Sequence, residues 1–107
     1  MSKLKELLSQ KILSIPGVTQ ETFKGKDGGE FTSFSYRNKD FAHFHPGNEL
    51  DLRLTKKVIA KEKIVHPKDS IVHPNRAQGS PWIELRFNTQ TELLNVYRLV
   101  ELAIKQI

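Results

Sequence analysis

The stretch FAHFHPGNELDLRL, residues 41–54, decides the fold class of this chain. Its second half, 49–54, alternates charged residues with leucines, and its first half ends in the turn residues Pro-Gly-Asn. Alternation with a period of two places every second side chain on the same face of a strand, and it is typical of antiparallel sheets with one covered face. The stretch therefore predicts two antiparallel neighbouring strands joined by a tight turn.

The rest of the chain predicts helices at both ends and further strands between them. Apolar residues recur at helical spacing in two places. These residues are Leu4, Leu7, Leu8, Ile12 and Ile15 at the start, and Leu93, Val96, Tyr97, Val100, Ile104 and Ile107 at the end. Strands are expected at 18–24, 30–37, 40–45, 49–54 and 82–87, and a short helix is expected at 56–63 with Thr55 as its N-cap.

The predicted fold class is α+β, with an antiparallel sheet of about five strands and the N- and C-terminal helices packed on one face. Thr89 and Glu92 have the spacing of a capping box at the start of the last helix. A chain of 107 residues fits a single domain covering 1–107. The glycine-rich segment 25–30 is expected to be a hairpin loop, and 64–81 an irregular segment.

Composition excludes several classes of protein. The chain has no cysteine, which excludes disulfides, thiolate metal sites and a thiol nucleophile. No apolar run approaches the roughly 20 residues of a membrane span, and the first residues lack the apolar stretch of a signal peptide. We therefore expect a cytoplasmic protein with no membrane partner. The net charge of +5 favours anionic partners without specifying one.

Three of the four histidines, His45, His66 and His73, precede proline. A residue before proline is held in extended geometry, so these pairs are explained as the ends of strands or as extended loop segments. That explanation accounts for the prolines and leaves open why histidine precedes them.

A metal site is the alternative interpretation. His43 and His45 are two residues apart on a predicted strand, so both imidazoles leave the same face. A histidine of the later segment, or a carboxylate of Glu49 or Asp51, would complete a set of ligands. No compact motif such as HExxH is present, so we assign no metal and no cofactor from the sequence. A metal-dependent enzyme is kept as a third possibility.

A binding surface is the main functional prediction. In the expected alternation, Phe41 shares a face with His43 and His45, and the strand 82–87 adds Trp82 and Arg86. Arginine suits carboxylate or phosphate, tryptophan offers a stacking plane, and histidine adds hydrogen bonds and pH sensitivity. We predict a binding or regulatory module for an anionic small molecule or a peptide. Its predicted ligand-binding residues are His43, His45, His73, Trp82 and Arg86.

Two ordinary structural roles compete with that prediction. Trp82 would cover the core, and Arg86 would form an ion pair with Glu84 or Asp51 across strands. No G-x-S-x-G elbow or other nucleophile motif is present, so no catalytic residue is assigned and enzymatic activity is not favoured.

A basic segment supports nucleic-acid binding as the alternative function. Its cations are opposed in the sequence by Glu62 alone. They are Arg53, Lys56, Lys57, Lys61, Lys63 and Lys68. No RNP motif, GxxG clamp or zinc-finger spacing accompanies them, so the charge is permissive and names no nucleic acid. Oligomeric state is not indicated by the sequence.

Three segments resemble a small family of luciferase-like domain proteins: FAHFHPGNELDLRL, PWIELRF at 81–87, and TELLNVYRLVELAI at 91–104. The resemblance covers roughly residues 30–104. It places the histidine pair of the family on His43 and His45, its later His-Pro on His66 or preferably His73, and its aromatic strand on 82–87 with Arg86. The order of elements also resembles the YjbR/MmcQ proteins, whose α+β fold is associated with DNA binding.

Overall fold

The structure is a computed structural model that describes residues 3–24, 30–64 and 80–107. Its elements follow in chain order. They are α1 (Lys3–Leu13), β1 (Val18–Lys24), β2 (Glu30–Tyr36), β3 (Lys39–His45), β4 (Glu49–Arg53), α2 (Lys56–Lys61), β5 (Trp82–Arg86) and α3 (Gln90–Lys105). The predictions for His66, Lys68, His73, the glycine loop and most of the irregular segment lie outside the described residues.

The five strands form one antiparallel sheet in the order β1-β2-β3-β4-β5, which confirms the predicted α+β class. Each strand pairs with the next one along the chain. The turn between β2 and β3 contains Arg37 and Asn38, whose φ angles are 53° and 66°. Two successive positive φ values are the geometry of a two-residue hairpin turn whose twist matches that of the strands. Between β3 and β4, Gly47 takes a φ of 77°, which a residue without Cβ adopts at no steric cost.

The hydrophobic core lies between the sheet and the two terminal helices. The leucines of the alternating stretch, Leu50, Leu52 and Leu54, are fully buried, as predicted. The other buried apolar residues come from α1 and α3, from β2, β3 and β5, and from the residue that follows β5. They are Leu8, Ile12, Phe34, Phe41, Ala42, Phe44, Ile83, Leu85, Phe87, Leu93, Val96, Leu99, Val100 and Ala103.

Burial of the apolar residues in α1 and α3 agrees with the helical spacing in the sequence, except at Leu7. Leu8 and Ile12 of α1 and Leu93, Val96 and Val100 of α3 are buried. Leu7 is exposed, because α1 buries a narrow stripe centred on Leu8 and Ile12 rather than a broad face.

Capping side chains fix where α2 and α3 begin. The hydroxyl of Thr89 accepts from the backbone N–H of Glu92, and the carboxylate of Glu92 accepts from the N–H of Thr89. This reciprocal pair is the predicted capping box. Thr55 accepts in the same way from Val58 at the start of α2.

Among the described residues, no helix has the length and apolar character needed to cross a lipid bilayer.

A β-bulge in β3 changes the predicted position of Phe41. Phe34 of β2 pairs with Ala42 and the next residue, Ser35, pairs with Asp40, so Phe41 has no cross-strand partner. The extra residue interrupts the alternation. As a result Phe41 is 1% exposed and belongs to the hydrophobic core. The expectation that Phe41 shares the face of His43 is wrong, since strict alternation does not pass through a bulge.

The central position of Leu52 gives a direct test of the sheet register. Leu52 lies between Ala42 and Ile83 on the core face and is fully buried. We expect Leu52→Ala to lower the free energy of unfolding by about 2–5 kcal/mol, the range for truncating a buried leucine. The control is Arg53→Ala at the adjacent exposed position, which should change it by less than about 0.5 kcal/mol. Urea unfolding followed by circular dichroism measures both, and equal losses would contradict the register.

Candidate functional site

The face of the sheet opposite the core, called the open face below, carries a row of polar side chains. His43 pairs with Asp51, and Asp51 pairs with Glu84, so these three residues lie side by side across β3, β4 and β5. The neighbouring row is His45, Glu49 and Arg86, also joined by cross-strand pairing. Directly paired residues share a face, and so do residues two apart on one strand.

The acids of these rows are more buried than their sequence pattern indicates. Alternation predicted Glu49 and Asp51 as outward-facing charges. They do face away from the leucines, yet Asp51 is 2% exposed, Glu84 is 1% exposed and Glu49 is also buried. A carboxylate is almost never fully buried unless it is paired, so this part of the face is a polar interior and not a solvated surface.

Two histidines and two acids form a compact histidine–carboxylate cluster, consisting of His43, His45, Glu49 and Asp51. Nε2 of His45 lies 3.2 Å from Nε2 of His43 and 3.6 Å from Oδ2 of Asp51. Nε2 of His43 lies 3.3 Å from the same Asp51 oxygen. On its other side, Nδ1–H of His45 donates to Oε2 of Glu49 at 2.6 Å. Both ring nitrogens of His45 are therefore placed against negative oxygens.

The surroundings of His45 favour its charged form. Burial opposes the imidazolium and lowers the pKa of His45, but hydrogen bonds to Asp51 and Glu49 and the negative charges of both acids outweigh it. The pKa of His45 is therefore raised above its ordinary value. Two cations stand nearby: Lys5 Nζ donates to the backbone carbonyl of His45, and Arg86 Nε lies 3.4 Å from Oε1 of Glu49. Burial also lowers the pKa of Lys5.

An aromatic groove adjoins the cluster. It encloses about 390 Å³ and is open to solvent. Its lining residues are Phe23, Phe31, Ser33, Asp40, His43 and Trp82. Ring centroids are 5.6 Å apart between Phe23 and Phe31, 5.8 Å between Phe31 and His43, and 5.6 Å between His43 and Trp82. These contacts make a continuous series of rings from β1 to β5.

The structure brings most of the predicted ligand-binding residues onto one face. His43, His45, Trp82 and Arg86 share the open face, while His73 lies outside the described residues. Trp82 is half-buried and lines the groove, so it is not part of the core. Arg86 contacts Glu49 where the sequence suggested Glu84 or Asp51, because Glu49 is its cross-strand partner.

The sequence did not identify Phe23, Phe31, Ser33 or Asp40 as groove residues. Phe23 and Phe31 are cross-strand partners, which only the β1–β2 register reveals. Asp40 reaches this face because of the bulge at Phe41. Alternation within β1 and β2 was the available signal for these residues. It separates each strand into two sets of side chains, but it does not show which set lies on the same face as His43.

The described basic side chains of the basic segment are exposed. Arg53, Lys56, Lys57, Lys61 and Lys63 are all exposed, and Lys68 lies outside the described residues. The acid of this segment, Glu62, accepts from Nη1 of Arg98 on α3 at 2.9 Å.

Residues 38–103 match the model of the Luciferase domain family. The chain belongs to this family. The match includes β3, β4, α2, β5 and nearly all of α3, and so it contains the whole histidine–carboxylate cluster. Phe23 and Phe31 lie before the matched residues. No curated protein and no solved structure matches the chain. The similarity to YjbR/MmcQ proteins stays a prediction.

The raised pKa of His45 predicts a pH-dependent stability. A group whose pKa is higher in the folded protein stabilises it fully below the unfolded value, about 6.5 for histidine, and this stabilisation is lost as pH rises through the folded pKa. We therefore expect the free energy of unfolding to fall as pH increases above about 6.5.

Glu49→Gln removes one of the charges that raise the pKa, so this fall should be smaller in that variant. Asp40→Asn, which removes an exposed acid of the groove, is the matched control and should keep the parental pH profile. Urea unfolding at a series of pH values, with EDTA to exclude metal ions, measures all three proteins. A parental profile in Glu49→Gln would show that His45 is not the titrating group.

Proposed function

We propose that this protein is a binding module for a small aromatic anion, and that the ligand lies in the groove beside His43 and Trp82. The aromatic groove carries this proposal. Its volume of about 390 Å³ falls within the range typical of small-molecule sites, roughly 300–1,000 Å³. Such sites combine apolar walls with a few placed polar groups, and this groove has both.

Three side chains support an aromatic ligand. Phe23, Phe31 and Trp82 present apolar ring surface to the groove. Phe23 is 41% exposed, which leaves much of its ring available for contact. Aromatic rings bind other rings through offset or edge-to-face contacts in addition to burying apolar area. A planar ligand would extend the existing series of rings.

The exposed cations favour a negatively charged group on the ligand. Arg53 is the cross-strand partner of Trp82 and is exposed. Arg86 is 33% exposed, and the partly exposed His43 lines the groove itself. The acids Asp51 and Glu84 are buried, whereas these cations are exposed or partly exposed. An anion would therefore meet cations at the rim and remain separated from the buried carboxylates, while Asp40, an exposed acid that lines the groove, accepts from the hydroxyl of Ser35.

Quenching of Trp82 provides a test, because it is the single tryptophan of the chain. Nitroaromatic compounds quench tryptophan on contact. We expect 4-nitrobenzoate to bind and quench Trp82 more strongly than uncharged 4-nitrobenzamide, which has a similar shape. Phe23→Ala should weaken binding about tenfold, since a lost ring contact costs about 1.4 kcal/mol or more.

Leu94→Ala is the matched control. Leu94 is a large apolar residue of α3 that is 51% exposed and does not line the groove. This variant should bind like the parent. Equal affinity for the two compounds would contradict an anionic ligand, and no saturable quenching by either would contradict the groove as a binding site.

A second candidate function is nucleic-acid binding by the basic segment. Arg98 pairs with Glu62, the acid of this segment. The positive charge of the exposed lysines of α2 and its flanks is therefore not offset by Glu62. Clustered lysines bind phosphates and release counterions, which makes affinity fall steeply with salt.

Charge reversal in α2 tests this candidate. Replacing Lys56, Lys57 and Lys61 by glutamate should weaken binding of single-stranded DNA regardless of sequence. It should also reduce the slope of log affinity against log salt by up to about 2. A control triple changes three exposed lysines outside the segment, Lys24, Lys39 and Lys105, and carries the same net charge. Equal losses in the two triples, or no binding by the parent in fluorescence anisotropy at low salt, would contradict this function.

A further inference from the structure

Three potential ligand atoms converge within the histidine–carboxylate cluster. They are Nε2 of His43, Nε2 of His45 and Oδ2 of Asp51, and they belong to side chains that together could hold a metal ion. Their mutual separations are 3.2, 3.3 and 3.6 Å. The triangle is nearly equilateral, so one point near its centre is equidistant from all three atoms.

These separations agree with coordination of one ion. Zinc binds imidazole nitrogen and carboxylate oxygen at about 2.0–2.1 Å, and tetrahedral geometry then places ligand atoms about 3.3–3.4 Å apart. An ion at that distance would lie less than about 1 Å from the plane of the three atoms. The side chains need no large movement to bind it.

Glu49 supplies the support that metal-binding histidines usually have. It accepts the Nδ1–H of His45 at 2.6 Å, which fixes the ring and leaves Nε2 directed toward His43 and Asp51. A carboxylate on the far nitrogen of a histidine ligand orients the ring and increases its basicity. Glu49 itself is buried and held near Arg86.

The backbone also holds the ligands in place. His43 and Asp51 are a cross-strand pair, and His45 is two residues from His43 on the same strand. All three ligands therefore stand on the central strands β3 and β4, which keep side chains in more constant positions than loops do.

We propose that His43, His45 and Asp51 bind one divalent transition-metal ion, with Glu49 as the positioning residue of His45. Two imidazoles and one carboxylate suit Zn²⁺, Co²⁺, Ni²⁺ or Fe²⁺, whereas Mg²⁺ and Ca²⁺ prefer all-oxygen sites. Within residues 3–24, 30–64 and 80–107, these three side chains make up the ligand set, and a tetrahedral ion would take at least one further ligand, either a side chain, water or a bound molecule.

A metal-free arrangement would use the same residues differently. A protonated His45 between Glu49 and Asp51 also places positive charge in this cluster. The two arrangements differ in their response to an added ion. A purely structural ion pair gains nothing from Zn²⁺, whereas a metal site is stabilised by mass action as the ion binds.

Calorimetric titration with Zn²⁺ at about pH 8, well above the ordinary pKa of histidine, tests the proposal, because ligand histidines bind the ion in their neutral form. We expect one ion per chain and an increase in melting temperature on binding. His43→Ala should weaken binding at least about a hundredfold, since it removes a ligand. Glu49→Gln should weaken it about 10–100-fold, the range for second-shell partners.

Two comparisons make the result specific. Asp51→Asn should weaken Zn²⁺ binding strongly, whereas Glu21→Gln, which changes an exposed acid two strands away on the same face, should bind like the parent. Circular dichroism of each variant checks that it is folded, and the rise in melting temperature of the parent provides a readout that does not depend on any variant. Visible absorption of bound Co²⁺ reports nitrogen and oxygen ligation.

Several results would overturn this metal site. They are absence of Zn²⁺ binding by the parent, unchanged binding in His43→Ala, and binding of Mg²⁺ as tight as that of Zn²⁺. Quenching of Trp82 by 4-nitrobenzoate is measured with EDTA present, so a failure of the groove and a failure of the metal site are seen separately.

Discussion

The register between β3 and β4 is the constraint on which the rest of the structure depends. The turn at 46–48 brings Glu49 opposite His45, and the following pairs are then fixed. In this register Leu50 and Leu52 of β4 enter the core. Asp51, which lies between them, faces the opposite side of the sheet and pairs with His43. A shift by one residue would exchange the two faces and expose the leucines, so the hydrophobic core and the histidine–carboxylate cluster depend on the same register.

Burial of polar groups in the middle of the open face has a physical consequence. Histidine, aspartate and glutamate in such a place require partners, and here His45 lies between Glu49 and Asp51. The neighbouring acids Glu49 and Asp51 favour positive charge there and raise the pKa of His45. A proton and a divalent ion are alternative ways to supply that charge, and the geometry of the three converging atoms suits the ion.

His43 joins the two parts of the open face. It belongs to the cluster through Asp51 and His45 and to the groove through Phe31 and Trp82. The residues matched by the Luciferase domain family contain the cluster and Trp82, but not Phe23 or Phe31. The family match thus covers the polar part of the face, while the β1–β2 hairpin adds an aromatic wall.

The sequence by itself determined the elements, the α+β class and the phase of β4 and β5, because alternation, helical spacing and capping residues act over a few neighbouring positions. Alternation also placed His43 with His45 on β3 and Trp82 with Arg86 on β5, and the cross-strand register of the structure puts the two pairs on the same face. Only the tertiary structure decided the place of Phe41, the approach of Phe23 and Phe31 to His43, and the burial of Asp51 and Glu84. These features arise from a bulge and from cross-strand pairing, and neither the added residue nor the pairing partner leaves a local pattern in the chain.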